Sequence, residues 1–216
     1  MKACIFLIFA FFIFSGCSGK VKKTGSIKEF KGFKIEYIDK DEVAGEDETI
    51  LYTSWGKEVP IWIQRMNEFK QANPAFKLIV KVNTVASENL ANIGEKSNRA
   101  DALSEFQSNL TTMIKDVFSK SFEGSKLEKG NQEKIKNNIT TITEGIVADF
   151  EVFDSGYLKI KNNDSEEIAF KCFILMGMSY DNFQKQYKSA LEKVSADKEF
   201  VNRSMEALDE QFKKNL

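Results

Sequence analysis

The sequence predicts an α+β fold, in which a small antiparallel sheet packs against long helices. Three observations predict it. Segments with a two-residue apolar period alternate with segments whose period is near 3.6 residues, in mixed order. Two strand-like runs, "DFEVFDSGYLKI" and "EEIAFKCFILMGMS", are joined by Lys161-Asn162-Asn163-Asp164-Ser165, residues suited to a hairpin turn. The chain holds only 2 Pro in 216 residues, which leaves long helices uninterrupted. A hairpin within such a mixed order places helices on one sheet face.

Taken in order, Phe33, Ile35 and Tyr37 alternate with charged residues and predict a strand. Residues 39–48, "DKDEVAGEDE", are acidic and read as a solvated loop, because Gly45 and the acids miss the calcium-loop register. Pro60 suits the first turn of a helix, with Ile61, Trp62, Arg65, Met66 and Phe69 on its apolar side and Asn73-Pro74 as its stop. "FKLIVKV" is rich in β-branched residues and predicts a strand. A long helix capped by Ser87 or Asn89 is expected to run to about Phe118, through Ile93, Ala100, Leu103, Phe106, Leu110 and Ile114. A second helix carries Ile135, Ile139, Ile142, Ile146 and Val147. After the hairpin a last helix begins near Ser179 and is expected to turn polar and frayed over residues 201–216. The second hairpin strand is apolar on both faces, with Phe170, Cys172 and Ile174 on one and Phe173 and Leu175 on the other. It should therefore be central and covered on both sides.

The N-terminus has its own logic. Lys2 precedes twelve apolar residues, Ala3 to Phe14, too few for a membrane span of about 20. They fit the hydrophobic region of an export signal. Ser15 and Gly16, both small, stand directly before Cys17. "FSGC" resembles a bacterial lipobox in the relaxed form of spirochaetal lipoproteins. The resemblance implies cleavage between Gly16 and Cys17 and lipid attachment at Cys17. Residues 1–16 are then a signal peptide and residues 17–32 a basic tether. Residues 33–58 form an N-terminal strand and loop extension, and residues 59–200 an α+β domain. The tether lysines either face an anionic lipid surface or simply keep the linker soluble. Cys172 is expected to be a free, buried thiol.

Composition narrows the chemistry. There is no histidine, so no Ser-His-Asp or Cys-His nucleophile pair and no imidazole metal ligand can form. Lys+Arg 31 against Asp+Glu 32 lacks the basic excess of a nucleic-acid binder. Glu166-Glu167 and Glu46-Asp47-Glu48 are adjacent carboxylates, whereas glycosidase chemistry needs two carboxyls facing across a cleft. No glycine-rich phosphate loop or Cys-x-x-Cys pair occurs. No cofactor, metal or catalytic residue is expected. Trp55 and Trp62 flank "GKEVP" and read either as core or as an aromatic interaction patch.

From Val59 onward the chain resembles the Lpp-twenty family of bacterial outer-membrane lipoproteins. The residues that carry this are "VPIW", with Pro60 and Trp62, the strand that follows, and "ANIGEKSNRADALSEF", with Ala91, Ala100 and Leu103. The resemblance spans about residues 59–195 and implies a dodecin-like sheet wrapped around a long helix, without catalytic residues. It implies a protein held in the outer membrane by its lipid, facing the periplasm or the cell surface. Such a protein would act by binding or envelope assembly, with an envelope or host protein, or a second copy of itself, as partner. The other readings are a tethered small-ligand binder and a histidine-free hydrolase using Asp, Glu or Lys.

Overall fold

The computed structural model describes residues 27–30, 32–123 and 125–214. Gly16, Cys17 and the rest of the N-terminal signal and lipobox lie outside these residues. The first strands are β1 (Ile27–Phe30), β2 (Phe33–Asp39), β3 (Glu48–Thr53) and β4 (Glu58–Pro60). Helix α1 (Met66–Ala72), strand β5 (Phe76–Val85) and the long helix α2 (Ala91–Phe122) follow. Next come α3 (Lys129–Asn137), α4 (Ile139–Val147), β6 (Glu151–Asn162), β7 (Ile168–Ser179), α5 (Tyr180–Val194) and α6 (Lys198–Lys214). The fold is α+β, with two antiparallel sheets packed with long helices.

The larger sheet has the order β3-β6-β7-β5 and the smaller β1-β2-β4. Strand β7 is central, as its two apolar faces require. Its even residues Ile174, Met176 and Met178 join a core with α2, α4, α5 and α6. Its odd residues Phe173 and Leu175 join a second core with Ile35, Tyr37, Val59, Trp62 and Phe69. The molecule is thus three layers: helices, larger sheet, smaller sheet. The smaller sheet covers the face that would otherwise expose apolar side chains to water.

Several expectations are corrected. Residues 33–58 are not an extension beside the main domain. Their β3 is an edge strand of the larger sheet, paired with β6 from Glu48↔Asn162 to Thr53↔Leu158. Their β2 pairs with β4, Tyr37 opposite Pro60, to form the covering layer. That pairing holds Pro60 extended, at φ −66 and ψ 138, so no α-helix begins there. A 3-10 turn, Ile61–Ile63, intervenes and α1 starts at Met66. Part of the expected tether is also structured, because Ile27–Phe30 pairs with β2.

Helix α2 has 32 residues and reaches about 48 Å at 1.5 Å per residue. It runs one turn beyond Phe118 because Phe118 and Phe122 pack on Phe200 of α6, with ring centroids 5.6 and 5.1 Å away. The helix expected through Ile135 to Val147 breaks at Asn138. The Asn138 side chain donates to the Lys134 carbonyl at 2.8 Å, competing with the helix's own bonding. Among the described residues, the C-terminal segment is helical from Lys198 to Lys214 and not frayed. Asp197 Oδ1 accepts the Phe200 N–H at 3.0 Å and caps a new helix, α6. Phe200, Val201, Ala207 and Leu208 of α6 are buried, at helical spacing.

Candidate functional site

Both tryptophans belong to the seam between the two sheets. Trp62, in the Ile61–Ile63 turn, is fully buried, and Trp55, beyond β3, is half-buried. Their rings meet edge-on at 6.0 Å, and each lies 6.4 Å from Phe173. Both indole nitrogens donate to one carboxylate: Trp55 to Asp154 Oδ1 and Trp62 to Asp154 Oδ2, each at 3.3 Å. Asp154 follows an irregularity in β6 between Val152 and Asp154, which turns it towards the seam. Burial, and then the nearby Asp154 charge, raise the Tyr37 hydroxyl above the ordinary tyrosine value. Gly156 makes the seam fit, since a Cβ there would come within 2.5 Å of the Trp55 ring. Of the two readings of Trp55 and Trp62, the geometry matches core. Asp154 escaped the sequence reading, although an acid between Phe153 and Gly156 in an apolar run was its signal.

Cys172 is 2 % exposed in β7 and free. Helix α2 approaches it closely: a Cβ on Gly94 would lie 3.0 Å from its Sγ and 2.9 Å from Asn83 Oδ1. Asn98 Nδ2 donates to the Cys172 carbonyl at 2.8 Å, and Asn83 Nδ2 to the Gly94 carbonyl at 3.0 Å. Burial, and secondarily Glu95, push the thiol pKa up. A thiol so placed is a poor nucleophile.

The carboxylate runs do not converge. Glu166, at φ 58 in the hairpin turn, pairs with Lys161 at 2.9 Å. Glu48 pairs with Lys171 at 2.6 Å, beside a hollow of about 330 Å³ on the small-sheet face of the larger sheet. Among the described residues, no group of three His, Cys, Asp or Glu is placed to hold a metal, and no helix is long and apolar enough to cross a membrane.

The remaining candidate is a cavity of about 600 Å³ where α1 turns into β5 beside the middle of α2. Its floor includes Phe106, Leu110, Met178 and Phe183, all buried. Lys70 and Lys77, both exposed, stand at its rim. The Asn73-Pro74 turn brings them together, with the Asn73 N–H donating to the Lys70 carbonyl at 3.1 Å and the Phe76 N–H to the Asn73 carbonyl at 3.1 Å. Partial desolvation of the ammonium at the rim, and then the Lys77 charge, lower the Lys70 pKa, while Glu105 opposes this. Neither lysine has an ion-pair partner among the described residues, because Glu105 is taken by Lys81 at 2.5 Å. Sequence reasoning missed this site. Two lysines seven positions apart carry no signal until the chain reversal between them is known.

No family model matches the chain, and no curated protein or solved structure matches it either.

Proposed function

We propose that this is a lipid-anchored protein of the bacterial cell envelope that works by binding and not by catalysis. The Lpp-twenty resemblance and the lipobox-like "FSGC" at Cys17 support the anchored part of this reading. The cavity carries the binding part. Its volume of about 600 Å³ falls within the roughly 300–1,000 Å³ usual for small-molecule sites, and its floor is apolar. The titratable groups that line it, Lys70, Lys77 and Asp116, are not arranged as a nucleophile with its base.

Two measurements test the reading. Cys17→Ala should abolish incorporation of labelled fatty acid and move the protein out of the detergent phase; unchanged partition would defeat the anchor. Native mass spectrometry of the full chain purified in mild detergent should show a heavier species, lost on denaturation, in which one small molecule is retained. Its absence would count against ligand binding.

Contact with an envelope protein is the second reading. It is favoured by Leu51 and Tyr52, which are exposed on the edge strand β3, where the backbone can accept a further strand.

A further inference from the structure

Resting on the ligand-binding reading just given, we infer that the cavity between α1, β5 and α2 takes a single-chain amphiphile with an anionic head, the chain on Phe106, Leu110, Met178 and Phe183 and the head between Lys70 and Lys77. Four buried apolar side chains form the floor of the cavity, and Gln71, Asn109, Thr112 and Gln211 add neutral polar groups to its lining. The buried floor offers only apolar contact, worth roughly 25 cal/mol per Å² of ligand surface removed from water. A ligand polar along its whole length would lose its hydration against those four apolar side chains. The rim offers charge. Two lysine ammoniums at one cavity rim, neither in an ion pair among the described residues, repel one another, and an anion held by both replaces that repulsion with attraction. Asp116 also lines the cavity, on α2, and is a single acid against two lysines. A cationic head would meet the lysines, and a neutral head would leave their repulsion in place. Fatty carboxylates and alkyl phosphates share the required chemistry.

Photolabelling tests this with the full chain in phosphatidylcholine vesicles. The probe is a long-chain fatty acid carrying a diazirine near its methyl end, and adducts are mapped by peptide mass spectrometry. Adducts should fall on the α2 segment around Phe106 to Met113 and near Met178. Unlabelled fatty acid should compete about tenfold better than its methyl ester, and the alkyl phosphate of equal chain length shows which anion is preferred. Lys70→Gln combined with Lys77→Gln, two surface changes that spare the core, should bring acid and ester to parity. Cavity adducts that acid and ester compete equally in the parent chain would overturn the anionic head while leaving ligand binding in place. Adducts only outside the cavity would overturn both. Anchoring is read separately, by the Cys17→Ala partition.

Discussion

Trp62 lies fully buried with its indole N–H donating to Asp154 Oδ2 at 3.3 Å, so one carboxylate of the larger sheet fastens the layer that covers it. Asp154→Ala should leave two indole donors short of their acceptor. A loss of about 1–3 kcal/mol is expected. Asp154→Asn retains an oxygen acceptor and should cost less. Urea unfolding followed by tryptophan fluorescence measures both, and equal losses would show that the carboxylate does not act through these bonds.

Gly156→Ala places a methyl 2.3 Å from Ser54 Oγ and 2.5 Å from Trp55 Cζ2. Trp55 must move, and overpacking of this kind costs about 1–3 kcal/mol. Near-UV circular dichroism should report the displaced indole. In a Trp55→Ala background the same substitution should cost much less, since neighbours in contact are not additive.

Cys172 should resist thiol reagents in the native protein and react on unfolding, with peptide mass spectrometry identifying the modified cysteine. Cys172→Ala should cost about 1 kcal/mol by leaving a small cavity. Cys172→Asp should be far worse, because it buries a charge beneath α2. Rapid native labelling would mean that the contact between Gly94 and Cys172 opens readily.

Alkaline pH should destabilise the fold. The hydroxyls of Tyr37, Tyr157, Tyr180 and Tyr187 all titrate above the ordinary tyrosine value, with burial the first cause in each. For Tyr157, burial and then its hydrogen bond to Glu88 push the value up to about 12. Below about pH 10 folded and unfolded chains both hold these protons, and the contribution is fully present. Between about pH 10 and 12 the unfolded chain releases them while folded Tyr157 keeps its own, so stability falls. Urea midpoints at rising pH, with tyrosinate absorbance, check the sign. Without histidine, no imidazole titrates between about pH 5 and 8.

What the residues revealed beforehand follows their range of interaction. The β6–β7 hairpin and the buried stripe of α2 rest on local turn chemistry and periodicity, and both are plain in the sequence. The two-sided apolar pattern of β7 required a cover on each face but could not say what the cover is. The answer, β2 and β4 with Trp62, depends on pairing between distant residues such as Tyr37 and Pro60. Pro60 misled for the same reason, since its φ suits a helix start and an extended strand equally. Phe200, Val201, Ala207 and Leu208 carried a legible helical period, masked by the charged residues among them. The lysine pair at the cavity was hidden because its proximity is made by a turn and a sheet edge together.

The pairing of Ile27–Phe30 with β2 would set the length of a leash if Cys17 carries the proposed lipid. Cys17 lies ten positions before Ile27, and ten residues span at most about 33–36 Å. An acyl group at Cys17 would confine the body to a shallow shell above the bilayer, hung from the outer strand of the smaller sheet. With that group attached, encounter with anything in that shell would become a search over a surface and not through a volume.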